Sequence, residues 1–408
     1  MLGFDVVRAV AALMVIWCHC GDSAAWRGAR LEAIGGMGTA FLNLLAGFFL
    51  VHTFVKARET MSPWRFALKR VGRVYGAFAV WSVVYVAFRI GLEVVQHGRV
   101  GSAIMAAGAG GGAVRSLLLG TLLIAPVALF MLVGSGRSGV VALAAGEARP
   151  SGLRRALPLG VAGLVGLAGY CAYRVWAHAA LGRTLLPDID WSIVLHGTSP
   201  HLWFLPYLTL VTLLALPLVR HATGTPARAA AYAGLIGAVA LAIIAGQYES
   251  ELLPAEGMAG WTRIFGRAPG FMVGVSVGLW IASGRRMKPG VGVALVCGLV
   301  ILGCAYLRLT TDIPQLWLNR VAALSAFVVA SAPWAGRVAQ WLGRLGQLGF
   351  GVYLCHMLVI VLARSTLELF GVGHSLLADL TVYALAVVGS FALAQSLRSR
   401  RSLAWLIP

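Results

Sequence analysis

The chain has 408 residues, of which 59% are hydrophobic and only 12% charged, and its mean hydropathy is +0.84. Soluble domains carry about 25% charged residues, so this composition excludes a soluble globular protein and predicts a polytopic membrane protein. The net charge of +19 would suit a nucleic-acid binder, but in a membrane chain positive charge collects in cytoplasmic loops, so no nucleic-acid partner is expected.

Apolar runs of spanning length predict an all-α bundle of about 10–12 transmembrane helices, forming a single domain over 1–408. The first run covers 4–22. It is almost wholly apolar yet carries Asp5, Arg8 and His19. The eleven-residue spacing from Arg8 to His19 returns both side chains to nearly one face, about 16 Å apart along the axis. A lipid-facing helix has no use for that pair, whereas a helix lining a polar cavity does. His19 reads either as a histidine hydrogen-bonded between helices or as a neutral imidazole that takes a proton from a hydroxyl. Asp22, three residues on, could orient it. Arg8, near the cytoplasmic end, could bind a phosphate or polarise a thioester. No cleavable signal peptide is expected, because Asp5 offsets Arg8 and no small-residue cleavage site follows.

The second span covers 38–55 and contains AGFFLVHTF, with Gly47 allowing close helix approach. A basic segment over 56–73 and a third span over 74–92 follow. Arg70 and Arg73 lie one turn apart where that span leaves the cytoplasm. They read either as anchors to anionic lipid or as a clamp for a diphosphate, aided by the helix N-terminus. A Gly/Ala-rich loop is expected over 98–113, then two further apolar stretches over 114–133 and 157–179.

The run Pro200-His201-Leu202-Trp203-Phe204-Leu205-Pro206-Tyr207 opens a span over 201–219. His201, Trp203 and Tyr207 would lie at the outer interface, as an aromatic belt or as a shelf for an acceptor. Later spans are expected over 229–246, 264–282, 290–307, 316–332, 348–363 and 377–397. His356 falls inside one of them, either packed in the core or lining the cavity. Arg263, Arg267 and Arg320 are candidates for acceptor binding or for ion pairs with Glu256 or Asp312.

With the N-terminus placed in the cytoplasm and the spans alternating, every lysine and most arginines fall on the cytoplasmic side. Of fourteen acids only Asp5, Glu59 and Glu147 do. Both termini are therefore expected inside. The six cysteines lie in or near apolar runs without CxxC spacing, so neither a disulfide framework nor a metal site is expected, although Cys18 and Cys20 flank His19.

Four stretches carry a resemblance: FDVVRAVAALMVIWCH with its Arg-x10-His spacing, Arg70-Val71-Gly72-Arg73, HLWFL over 201–205, and GVYLCH over 351–356. In this order, and on consistent sides of the membrane, they resemble the membrane-bound acyltransferase 3 family. That resemblance implies an O-acyltransferase of the bacterial inner membrane. It would move an acyl group, most often acetyl, from cytoplasmic acyl-CoA to a hydroxyl of a cell-envelope glycan or lipid-linked glycan. It implies His19 and Arg8 as the catalytic pair and Arg70 with Arg73 as the donor-binding pair. His201, Trp203, Tyr207, His356 and Asp22 would contact the acceptor or support the residues that do. No tightly bound cofactor is implied, acetyl-CoA arriving as a substrate.

Two features depart from the family pattern. Ala46 stands where the second span usually has serine, and the region over 98–180 looks like an insertion of one or two extra helices. The leading alternative from physics alone is a transporter of a glycan or small anion, which would predict an internal repeat of spans. None is evident. A structural subunit of an envelope assembly is the other alternative. The acceptor, the acyl length and the oligomeric state stay open, a homodimer included.

Overall fold

The computed structural model describes residues 2–97, 202, 204–251, 267–285, 287, 289–311, 315–400 and 403. Among them are twelve helices and no strands. They are α1 Leu2–Cys20, α2 Ala24–Gly28, α3 Glu32–Ala57, α4 Pro63–His97, α5 Phe204–Ala222, α6 Pro226–Glu251, α7 Ala268–Ala282, α8 Val291–Thr310, α9 Gln315–Ser331, α10 Arg337–Gly346, α11 Gly349–Leu369 and α12 Leu376–Ser399. In lipid every backbone N–H and C=O must be paired within its own segment, so apolar runs of this length become helices. Seven of these helices, α1, α3, α5, α6, α8, α11 and α12, are long and apolar enough to cross a membrane. The protein is an all-α polytopic membrane bundle. The predicted loop over 98–113, the stretches over 114–133 and 157–179, and thus the insertion over 98–180, lie outside the described residues.

The chain forms two compact units, Met1–Lys69 with Leu210–Pro408, and Arg70–Thr209. In the first, α1 packs against α3, α9, α10, α11 and α12. Helix α3 runs antiparallel to α1, with Gly35 against Cys18 and Gly38 against Ala11. Helix α7 runs alongside α3 in the same direction. Gly274 rests on the backbone of Leu44 and Phe48, and Gly47 on that of Phe271 and Val275. A Cβ at either glycine would overlap main-chain atoms, so the small residues set this helix separation. Phe4, Phe48 and Phe327 tie α1, α3 and α9 together, with ring centroids 5.0–5.3 Å apart. Helix α11 runs parallel to α1, from Gly349 at the Arg8 stem to His356 at His19. On α8 the apolar residues Leu295, Leu299 and Leu302 are exposed, as expected of a helix facing lipid.

Two helices are absent from the sequence expectation. Helix α2 has five residues, with Ser23 as its N-cap accepting from the Trp26 N–H. Helix α10 has ten. It buries Ala339, Gly343 and Gly346 against the start of α1 and exposes Val338, Trp341, Arg337 and Arg344. That pattern is an interfacial amphipathic helix rather than a span. The basic segment over 56–73 also proves largely helical, because α4 begins at Pro63, where proline's fixed φ favours a helix start. In the second unit, α4 buries Ala77, Phe78, Trp81 and Tyr85, and the start of α5 buries Phe204, Leu205 and Tyr207.

Candidate active site

Helix α1 carries two ionisable groups on one stripe, and the structure surrounds them differently. At the N-terminal end Arg8 donates to Asp5 one turn earlier, at 3.0 Å. Its guanidinium lies over the Phe49 ring, 5.2 Å from the centroid. Gly349 packs against the arginine stem, since a Cβ there would come within 3.1 Å of Arg8 Cγ. Arg8 is thus held on three sides while its side chain keeps 25% of its exposure. That is the condition of a cation that can still meet an anionic ligand.

At the C-terminal end the half-buried His19 ring lies 5.3 Å from the ring of His356, centroid to centroid. His356 is fully buried. Its Nδ1 lies 2.8 Å from the Tyr353 carbonyl and 3.2 Å from the Val352 carbonyl. A ring nitrogen facing carbonyl oxygens at that distance carries the hydrogen and donates it. In the neutral ring the lone pair therefore sits on Nε2. Both carbonyls belong to the preceding turn of α11, so the helix itself fixes the tautomer and the ring plane. Tyr353 is buried in the same turn, with its ring 5.9 Å from that of His356.

Two further arginines lie beside α3. The carbonyl of Arg267, just before α7, accepts from the Asn43 side-chain amide at 2.6 Å. Arg308 on α8 donates to Asn319 of α9, and both meet Gly36, next to the Gly35 that packs on Cys18. Arg308, Asn319 and Arg320 are all buried. Charged groups kept inside a membrane bundle line a polar interior rather than lipid. Among the described residues, no three His, Cys, Asp or Glu side chains gather as metal ligands.

The residues singled out in the sequence fall into four places. His19 and His356 meet. Arg8 shares the α1 stripe but lies about 16 Å down the helix from His19. Asp22 lies beyond the end of α1, where its carboxylate meets Arg27 at 3.7 Å and His374 at 3.5 Å and is 57% exposed. Arg70, half-buried, and Arg73, exposed, lie one turn apart on α4 in the second unit, where Tyr207 is also buried. His201 and Trp203 lie outside the described residues, as do Arg263, Glu256 and Asp312.

Three functional candidates escaped the sequence reading: Arg308, Arg364 and Asp379. Each is an ionisable residue in or at the end of an apolar run, and that was the available signal.

A family model described as an acyltransferase domain, Acyl_transf_3, matches residues 1–398. The chain belongs to the acyltransferase 3 family. No curated protein and no solved structure matches it. Membership makes the protein an acyltransferase, of the generally membrane-bound O-acyltransferase kind, and seven long apolar helices agree with a multi-pass membrane enzyme. It also favours group transfer over the transporter alternative. Within the family frame, the Arg-x10-His spacing corresponds to the partly exposed cation and the imidazole pair at opposite ends of α1.

Proposed function

We propose that the protein transfers an acetyl group from acetyl-CoA to a hydroxyl of a cell-envelope glycan, with His19 as the general base. The observation that carries this reading is the His19–His356 pair at the C-terminal end of α1 in a chain of this family. A neutral imidazole in a water-poor setting accepts a hydroxyl proton as the oxygen attacks. The hydroxyl oxygen attacks the thioester carbonyl carbon, and its proton passes to His19. The carbon–sulfur bond then breaks, and the departing thiolate of CoA takes up that proton. An ester and free CoA result. Arg308, which meets Gly36 beside the Gly35–Cys18 contact, suits the negative charge that develops on the carbonyl oxygen.

Arg8 suits an anionic group of the donor on the inner side, being cationic, partly exposed and held in place by Asp5, Phe49 and Gly349. Arg70 and Arg73 are assigned to the donor diphosphate on their Arg-x-x-Arg spacing. The enzyme would act in the bacterial cytoplasmic membrane, taking its donor from the cytoplasm and its acceptor from the outer side.

Purified protein in detergent, given radiolabelled acetyl-CoA and a panel of glycan acceptors, tests this. Wild type should release or transfer label, and His19→Ala should lose that activity while still binding donor. A well-folded wild type that binds no acetyl-CoA would remove acetyl-CoA as the donor. Unchanged turnover in His19→Ala would remove His19 as the base.

A further inference from the structure

Asp379 is fully buried in the first turn of α12, within an otherwise apolar run. A carboxylate persists in such a place only when several donors meet it. The backbone N–H of Ser23 donates to its Oδ2 at 3.0 Å, and that of Asp22 to its Oδ1 at 3.2 Å. Arg364 of α11 reaches Oδ1 through Nη2 at 2.8 Å. The same nitrogen donates to the Cys20 carbonyl at 2.5 Å.

Cys20 is the last residue of α1, so its carbonyl has no partner within the helix and marks the negative end of the helix dipole. A guanidinium satisfies both needs. One carboxylate and one guanidinium, from α12 and α11, therefore grip three backbone positions, Cys20, Asp22 and Ser23, of the turn that follows His19. Arg364 also sits about two turns beyond His356 on α11. It thus pins α1 and α11 in register just past the point where their imidazoles meet.

We propose that Asp379 and Arg364 are positioning residues for His19. They set the height and rotation of the last turn of α1 against α11, and hence the 5.3 Å approach of the two rings. The catalytic consequence rests on the acyl-transfer reading above, whereas the clamp itself does not. Displacing a reacting group by about 1 Å costs about 10²-fold in rate, so a clamp one residue from the proposed base has leverage. Asp22 gives the contrast: its own carboxylate faces solvent, and it takes part through its backbone N–H.

The test uses the full chain in detergent and three readouts on Asp379→Asn and Arg364→Lys. Hydrogen exchange reports the amides of Asp22 and Ser23. Carbethoxylation by diethyl pyrocarbonate, read by mass spectrometry, reports the reactivity of His19 with His52 as the internal control. Turnover with acetyl-CoA reports kcat and KM. In Asp379→Asn, exchange at 22 and 23 should speed by about tenfold or more, and His19 reactivity should shift about threefold with His52 unchanged. The kcat should fall about 10- to 100-fold while KM for acetyl-CoA holds within about twofold.

Arg364→Lys keeps a charge beside Asp379 but replaces the rigid planar guanidinium by a mobile ammonium, which holds the two acceptors less firmly. It should retain more activity than Asp379→Asn, and it carries the test if that variant does not fold. Unaltered exchange at 22 and 23 in both variants would overturn the clamp. Faster exchange with unaltered kcat and unaltered His19 reactivity would overturn the positioning role. If wild type transfers no acyl group, the functional reading fails on its own, and His19 reactivity still decides the inference.

Discussion

The two ends of α1 are each fastened by an arginine–carboxylate pair, and the pairs differ in what they join. At the N-terminal end Arg8 and Asp5 lie three residues apart on one helix, with side chains 25% and 22% exposed. That ion pair stays within α1, and Arg8 meets other helices only through the Phe49 ring and Gly349. At the C-terminal end Arg364 and Asp379 are 16% and 0% exposed, come from α11 and α12, and grip the backbone of a third element. An i,i+3 pair contributes about 0.5 kcal/mol to a helix. Removing one partner of a buried pair costs about 3–5 kcal/mol, because the other charge is left stranded. The chain thus keeps a solvent-accessible cation where a ligand would bind and a rigid cross-link where geometry must hold. A binding group tolerates looseness that a proton-transfer group does not.

Several substitutions would break or sharpen that contrast. His19→Ala should have the largest effect, lowering transfer by about 10³-fold with donor affinity retained, the usual scale for losing a general base. Next comes Asp379→Asn, with its loss of about 10- to 100-fold in kcat and a clear drop in thermal midpoint by scanning calorimetry. Arg8→Ala should act on binding, raising KM for acetyl-CoA about tenfold with the thermal midpoint nearly unchanged. A kcat loss at constant KM would instead place Arg8 with the chemistry. Gly346→Val pushes a side chain into the backbone at Asp5 and should cost about 1–3 kcal/mol of stability, while changing kcat by about threefold at most. Asp22→Asn should change kcat by less than about twofold, since its ion pairs are exposed. A larger loss there would return the orienting role to the Asp22 carboxylate.

Much of this was legible in the sequence. The spans containing His19, His52 and His356 fall within a few residues of α1, α3 and α11, because a run of about 20 apolar residues has one stable solution in lipid. The same-stripe placement of Arg8 and His19 followed from helical period alone. What the sequence could not show is which groups from distant spans meet. His356 lies more than three hundred residues from His19, and nothing in GVYLCH says which span it will face. Asp379 lies within its predicted span with no sign of a partner, yet the fold turns it inward to the end of α1. Helix α10 was missed for another reason: its ten residues divide into small, apolar and basic faces, and that threefold division reads as a loop when only spanning runs are sought. The basic stretch before Arg70 gives no spanning signal, because its charges mask the helix start at Pro63.

The most direct test of the imidazole pair as the chemical centre is a double-mutant cycle of His19→Ala and His356→Gln, read as single-turnover transfer from acetyl-CoA. Groups that act as a unit are strongly non-additive. In an otherwise wild-type chain His356→Gln should slow transfer about tenfold, and in the His19→Ala background it should slow it no further. The same tenfold loss in both backgrounds would mean that the two rings act independently, and would contradict a shared site at the C-terminal end of α1.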